Sequence, residues 1–171
     1  MDHSGKTNPY LAIAAVIAGK EASVTDELKS FLNDRKCMGD LFTQRYCDVH
    51  SLSDSEYAWF ALTYLLERHA LLIRVTPTMY ISDARAKLRT LPLLADASDL
   101  PTFEDYGADE DDCIDEWLSI YNEGLEERGY SLVELVDDET EEMHLVCVPL
   151  CVTEELACLA RSAGQEISRY E

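Results

Sequence analysis

The sequence predicts an α+β fold with a helical N-terminal half and a C-terminal helix–hairpin–helix–strand unit that forms a small, mostly antiparallel sheet. Capped runs with apolar residues at helical spacing fill much of the first half, and two runs rich in β-formers flank an acidic turn in the second. The chain has 171 residues, 47% of them apolar, so residues 1–171 are expected to form a single domain with a sizeable core.

The first helix is predicted to begin at Asn8 and Pro9, because Asn is a favoured N-cap and Pro a favoured first helical residue. It should run to about Lys20, and since it is apolar on nearly every side we expect other elements to cover it. Residues 10–18 faintly resemble a secretory signal. The helix start favours instead a buried first helix that is not cleaved off.

The next two helices are also indicated by their caps. Thr25 should cap a short second helix, and Gly39 should mark a break before residues 41–46. Ser53-Asp54-Ser55-Glu56 is a capping box, in which the first and last side chains satisfy each other's backbone amides. The helix that follows it carries an apolar stripe at helical spacing, made of Tyr57, Phe60, Ala61, Tyr64 and Leu65.

The middle of the chain is expected to alternate short elements with loops. Residues 71–75 predict a strand ended by Pro77, although they could instead extend the preceding helix. Ser82 should cap a short helix that runs to about Arg89. Residues 92–109 contain two prolines, a glycine and several aspartates, so we expect a mobile connecting loop there.

The C-terminal third begins with a helix predicted from about Glu110 to Arg128. Gly129 follows it, where a left-handed C-terminal cap is usual. The remaining predicted elements are a hairpin of strands 130–136 and 143–148, a helix capped by Thr153 and ended by Gly164, and an edge strand over 167–170.

The cysteines favour a reducing compartment. Several of the six lie inside apolar runs, as Cys147 and Cys158 do, which is typical of reduced cysteines that pack as small hydrophobic residues. A chain of this length does not need disulfides for stability. No apolar run approaches the roughly 20 residues that cross a membrane. We therefore expect a cytoplasmic protein.

Negative charge is concentrated in one segment of the chain. The net charge is −20, and residues 99–142 hold 18 of the 34 acidic side chains but a single basic one, Arg128. Phosphates are bound by Lys and Arg, so this composition argues against direct nucleic-acid binding. It favours a basic protein partner, which such a surface would attract at high rate. A solvated face that only keeps the protein soluble is the alternative.

Helical geometry predicts that much of this charge shares one face. At about 100° per residue, six carboxylates would lie opposite the apolar stripe of the helix over 110–128. They are Asp112, Asp115, Glu116, Glu123, Glu126 and Glu127. Asp109 precedes the helix, and the hairpin turn adds Asp137, Asp138, Glu139, Glu141 and Glu142. If the turn lies at the same edge, the two form one negative surface, for which Phe103 and Tyr106 in the preceding loop are candidate aromatic anchors.

No motif indicates catalysis, a metal or a cofactor. The run 109–112 lacks the spacing and central Gly of a calcium loop. Cys47 and His50 have the spacing of half a zinc site, but no second pair completes it. The sequence contains no phosphate-binding loop, dinucleotide fingerprint or local catalytic signature. We expect a binding protein without catalytic residues, metal or cofactor, although catalytic groups can also assemble from distant positions.

Small acidic proteins without catalytic motifs resemble bacterial immunity proteins, the antidotes of toxins used between competing cells. The segment 117–170 is also similar to the end of an uncharacterised bacterial domain family. That similarity rests on the phrase Arg128-Gly129-Tyr130-Ser131-Leu132-Val133, on a strand ending at Val148-Pro149, and on the helix that follows. The second resemblance implies no functional residue.

The leading hypothesis is an immunity-type protein that occludes the active site of a cognate toxin, a basic effector enzyme. Its predicted partner-binding residues are Asp109, Asp112, Asp115, Glu116, Glu123, Glu126, Glu127, Asp138 and Glu139, with Phe103 and Tyr106. Two binding alternatives stay open, a nucleic-acid-mimicking inhibitor of a DNA-binding protein and an interaction adaptor unrelated to toxins. The mimic requires carboxylates at phosphate-like spacing.

Overall fold

The described part of the chain combines helices with one antiparallel sheet, which confirms the α+β fold. The computed structural model describes residues 8–19, 21–36, 38, 51–95, 99–137 and 140–170. Its α-helices are α1 (Pro9–Ala18), α2 (Ala22–Asn33), α3 (Asp54–Arg68), α4 (Ile81–Leu88), α5 (Pro92–Ala95), α6 (Leu118–Glu126) and α7 (Thr153–Ser162). Its strands are β1 (Ile73–Val75), β2 (Tyr130–Leu135), β3 (Met143–Pro149) and β4 (Ile167–Arg169).

The sheet is built on the predicted hairpin. Its strand order is β1-β3-β2-β4, and every neighbouring pair is antiparallel. β3 is central, and its first six residues are all buried. β4 pairs with β2 from Val133 to Leu135 and lies at one edge, as predicted. The register Val75↔Met143 shows that β1 ends at the side of the sheet where the hairpin turn lies.

Helices cover both faces of the sheet, so its two inner strands, β2 and β3, contribute to two cores. On β3, Val146 and Val148 pack in a cluster with α1, α2 and α3, while Leu145 and Cys147 pack in a second cluster with α4 and α6. This follows from the alternation of side chains along a strand. It explains why a central strand covered on both faces is apolar at consecutive positions.

Local signals in the sequence located several elements correctly. Asn8 caps α1 and accepts from the amide of Tyr10 at 2.9 Å. The capping box at the start of α3 is formed in both directions, with Ser53 donating its amide to Glu56 at 2.7 Å. Gly129 has φ +84°, the left-handed conformation expected of a glycine there. The strand predicted over residues 71–75 is present as β1 but is limited to Ile73–Val75, and it does not extend α3.

Other boundaries differ from the sequence prediction. α1 ends at Ala18, and α2 begins at Ala22, so Thr25 lies inside it and does not cap it. Residues 92–109 are not a plain loop, since they include α5 and a 3-10 helix over Phe103–Tyr106. Their mobility stays a prediction. The break at Gly39 and the segment 41–46 lie outside the described residues.

Within the described ranges, every helix is too short or too polar to traverse a lipid bilayer. Cys113, Cys147, Cys151 and Cys158 are free thiols. Burial raises the pKa of the Cys147 thiol to about 12, so it stays protonated as a small core residue.

Candidate acidic docking surface

The sequence prediction of a continuous helix over 110–128 is wrong in its first half. The α-helix begins only at Leu118, and the residues before it form an irregular loop that ends in a 3-10 helix over Ile114–Glu116. We call residues 109–116 the acidic loop. The predicted single helical face therefore does not exist, because only the carboxylates from Glu123 onward lie on or directly after α6.

The backbone of the acidic loop is fastened to the segment between β1 and α4. Tyr80 and Cys113 form an antiparallel bridge. On either side of it, the amide of Ile81 donates to the carbonyl of Asp112 at 3.0 Å, and the amide of Ile114 donates to the carbonyl of Met79 at 2.9 Å. These bonds satisfy backbone groups that a helix would otherwise pair internally, so the loop has a defined conformation without being helical.

Side chains within the acidic loop also favour this conformation over a helix. The Oδ2 atom of Asp112 accepts from the amide of Asp109 at 2.9 Å. Such local bonds from Asp to the backbone compete with helix formation. A helix would moreover have placed Asp112 and Glu116 four residues apart as a repelling pair.

The acidic loop and the hairpin turn lie at the same end of the sheet. β1 ends at Val75 opposite Met143, the first residue after the turn. Two residues beyond β1, the carbonyl of Pro77 accepts from the amide of Asp115 at 3.4 Å. The two acidic segments therefore leave the sheet on the same side. This satisfies the geometric condition for one negative surface, although Asp138 and Glu139 lie outside the described residues.

The predicted carboxylates differ in their exposure. Asp109, Asp115, Glu116, Glu123 and Glu127 are exposed, whereas Asp112 and Glu126 are half-buried. Within the described ranges, no ion pair involves Asp109, Asp111, Asp115, Glu116 or Glu123. This set, in which Asp111 was not predicted, is the unneutralised part of the acidic segment. Its members within the acidic loop, together with Asp112, form the acidic patch discussed below, and Glu123 lies on α6.

Two other acids of the segment lie close to arginines, one of them distant in sequence and one adjacent. Glu126 accepts from Arg169 at 2.8 Å, so it is a structural residue and does not belong to a free docking face. Burial raises the pKa of Glu126, but the hydrogen bond and charge of Arg169 outweigh it, and the net pKa is lowered. Glu127 lies 4.0 Å from Arg128, at the limit of an ion pair.

The acids flanking the patch are also paired. Arg85 contacts Glu104 directly and lies 3.7 Å from Glu110. Arg74 of β1 lies 3.7 Å from Glu142 in the hairpin turn. The negative charge is thus partly neutralised at its borders and left uncompensated in the acidic patch.

The two predicted aromatic anchors are not exposed anchors. Phe103 is 1% exposed and stacks on Tyr121, with ring centroids 4.3 Å apart, so it is a core residue. Tyr106 is half-buried against α6, where its hydroxyl occupies the space that a side chain at position 124 would need. The polar composition of residues 92–109 predicted a loop and gave no indication of this packing, because the buried residues are the few apolar ones in the segment.

The exposed aromatic residue next to the acidic loop is Tyr80, which sequence reasoning missed. Its side chain is 53% exposed, and its backbone bridges Cys113 in the middle of the loop. Ile120 on α6 is a second exposed large apolar residue, at 37%. Tyr80 stands at the N-cap of α4, outside any apolar stripe. That isolation is the signal that could have marked it as a surface residue.

The described residues contain no cluster of three or more His, Cys, Asp or Glu side chains arranged to hold a metal ion. The acidic patch therefore offers charge and hydrogen-bond acceptors around an exposed aromatic ring. Chemically, such an arrangement can pair with Lys and Arg side chains and bury an aromatic ring against a partner.

The fold and this surface define an α+β protein with a partly uncompensated acidic patch. Residues 9–170 match the model of a domain of unknown function, DUF6630, and the chain belongs to that family. No curated protein and no solved structure matches the chain.

Proposed function

We propose that this chain is an immunity-type protein that binds a basic effector enzyme, a toxin, and blocks its active site. The observation that carries the proposal is the acidic patch, whose residues flank Cys113 along the chain, where the backbone bridges the exposed Tyr80. Unpaired carboxylates attract a basic protein over a distance of about one Debye length, roughly 8 Å at physiological salt. The aromatic ring of Tyr80 supplies apolar surface that a partner can bury, which electrostatic attraction alone does not provide.

The fixed conformation of the acidic loop supports this proposal. Hydrogen bonds to residues 77–82 hold the loop in place before any partner arrives. A preorganised surface loses less conformational entropy on binding than a flexible one does. The repulsion among neighbouring carboxylates is relieved when basic side chains dock. Partner binding should therefore become weaker as salt concentration rises.

The experiment is neutralisation of a toxin in a bacterial host. A basic protein encoded beside the gene of this chain is expressed with and without the chain, and growth is measured. The site variant carries Asp111→Lys, Asp115→Lys and Glu116→Lys. The control carries Asp26→Lys, Glu155→Lys and Glu166→Lys, three exposed acids elsewhere with the same total change in charge.

The wild-type chain and the control should restore growth, and the site variant should not. In vitro, the site variant should raise the Kd for the purified partner by at least about 100-fold, since reversal replaces attraction with repulsion. Equal effects of the two triple variants would mean that net charge alone matters. Absence of rescue by the wild-type chain would refute the proposed neutralisation.

A further inference from the structure

A cavity of about 160 Å³ lies between α4, α6 and the residues that precede the 3-10 helix Phe103–Tyr106. Its apolar wall includes Leu88, Leu94, Leu100 and Phe103. A wholly apolar cavity of roughly 150 Å³ accommodates benzene in another protein. Polar side chains share the lining here, but the volume suffices for a body about the size of one six-membered ring.

Arg89 supplies a positive charge at this cavity that no described carboxylate balances. Two arginines line it, but Arg85 is balanced by its contact with Glu104 and by Glu110 at 3.7 Å. Within the described ranges no carboxylate pairs with Arg89. Its side chain is exposed, which places the charge where the cavity meets solvent. One free guanidinium matches one negative charge on a ligand, and a carboxylate can accept its paired N–H donors.

Tyr121 adds a neutral donor to the same cavity. The residue is 6% exposed, and its ring is fixed by stacking on Phe103. Burial raises the pKa of Tyr121 to about 12 against the opposing charge of Arg89, so the hydroxyl is protonated at neutral pH. This hydroxyl forms no hydrogen bond with another described residue.

Arg85 carries a further unsatisfied group. Its Nε atom is buried and has no hydrogen-bond partner in the described part of the chain. Buried polar atoms are nearly always hydrogen-bonded, so a donor without a partner on a residue that lines a cavity is compatible with an acceptor bound there. The cavity thus combines an apolar wall with the Tyr121 hydroxyl and the Arg89 guanidinium.

We propose that this cavity binds a small monocarboxylate with an apolar body, of the size of benzoate. The carboxylate pairs with Arg89 and accepts from the hydroxyl of Tyr121, and the apolar body packs against Phe103 and the leucines. The site lies on other residues than the acidic patch, and it is tested on the isolated chain without any protein partner.

The experiment is a titration of the ¹⁵N-labelled full chain with sodium benzoate, followed by NMR. Amide shifts should be saturable, centred on residues 85–94 and 100–103 and on Tyr121, with a Kd on the order of 1 mM or tighter. Benzamide has the same shape without the charge and should bind at least about tenfold more weakly, because it cannot form the charged pair with Arg89.

Three variants test the assigned contacts. Arg89→Gln and Tyr121→Phe should each weaken benzoate binding about tenfold, and the second keeps the ring that stacks on Phe103. Lys29→Gln is the control, because Lys29 is an exposed cation on α2, away from the cavity. It should bind like the wild type. Amide dispersion like that of the wild type verifies that each variant is folded.

The proposal is overturned if no saturable shift is seen up to ~20 mM benzoate, which is well above the expected Kd. It is equally overturned if Arg89→Gln and Tyr121→Phe bind as the wild type does, or if benzamide binds as tightly as benzoate. Loss of binding in these two variants but not in Lys29→Gln supports it.

Discussion

Arg169 donates from Nη2 to Oε1 of Glu126 at 2.8 Å and thereby joins the last strand to the end of α6. The same oxygen accepts from Asn122 at 3.0 Å and from Ser131 at 3.2 Å. Asn122 is fully buried and also accepts from the amide of Leu132 at 2.7 Å, just before β4 begins to pair with β2. Glu126 therefore belongs to a network that stabilises the sheet edge.

We expect Glu126→Gln to destabilise the protein by about 1 kcal/mol at neutral pH, a value reduced for partial solvent exposure. The folded pKa of Glu126 lies below its ordinary value of 4.5. Its contribution to stability is therefore present above pH 4.5 and is lost as pH falls through the folded pKa. Urea denaturation of wild type and variant at pH 7 and pH 3.5 measures this. Glu116→Gln, an exposed control, should change stability by less than about 0.5 kcal/mol, and an equal effect of both would contradict the network role.

Gly124 on α6 is expected to be intolerant of a side chain. An added Cβ would lie 1.8 Å from the hydroxyl oxygen of Tyr106 and 3.1 Å from Cγ of Pro101. Gly124→Ala should therefore destabilise the fold by about 1 kcal/mol, although alanine favours a helix by a similar amount. In a Tyr106→Leu background, where the clash is relieved, the same change should be neutral or stabilising. Thermal unfolding of the two single variants and the double variant measures this. If the stability changes of Gly124→Ala and Tyr106→Leu are additive, residues 101–106 do not pack on α6 as described.

The sequence predicted the elements whose signals are local. The capping box of α3 and the glycine after α6 depend on residues within a few positions of one another, and so does the hairpin. Such features are specified by hydrogen bonds and backbone preferences that a short segment contains. The helical N-terminal half and the order of the C-terminal elements could therefore be predicted without tertiary information.

The candidate site could be predicted only in part, because distant contacts determine it. The acidic loop pairs with residues about 30 positions earlier, and Arg169 lies 43 residues from Glu126. Neither contact leaves a periodic pattern in the sequence. Phe103 was misassigned for the same reason, since its stacking partner Tyr121 belongs to another element. Composition correctly located the concentration of charge but could not identify which carboxylates are neutralised.

His144 should make stability depend on pH in the mildly acidic range. The residue is 1% exposed on β3, and neither ring nitrogen has a hydrogen-bond partner among the described residues. Burial and, secondarily, Arg74 lower its pKa below 6.5, against the opposing charges of Asp137, Glu142 and Glu67.

Because the folded pKa of His144 is depressed, the unfolded chain binds the proton first, and stability present above pH 6.5 is lost as pH falls. The slope for one proton is at most about 1.4 kcal/mol per pH unit. His144→Met removes the titrating ring, so the free energy of unfolding should vary less between pH 7 and pH 5 than in the wild type. An unchanged slope in the variant would assign the dependence to other groups.

Truncation of Phe103 should mainly lower the stability of the protein, whereas truncation of Tyr80 should mainly weaken partner binding. This contrast tests whether Tyr80, and not Phe103, is the aromatic anchor. Phe103→Ala removes a fully buried ring from the stack on Tyr121 and should cost about 3 to 5 kcal/mol of stability. Tyr80→Ala removes a ring that is 53% exposed and should cost about 1 kcal/mol or less. Urea midpoints at constant m-value measure both effects.

Tyr80→Ala should nevertheless weaken binding to the partner identified by neutralisation, because truncated aromatic anchors commonly cost 2 kcal/mol or more, roughly 30-fold in Kd. If Tyr80→Ala instead leaves that Kd unchanged while the reversal of Asp111, Asp115 and Glu116 still raises it, the acidic patch acts by electrostatics alone and Tyr80 is not an anchor.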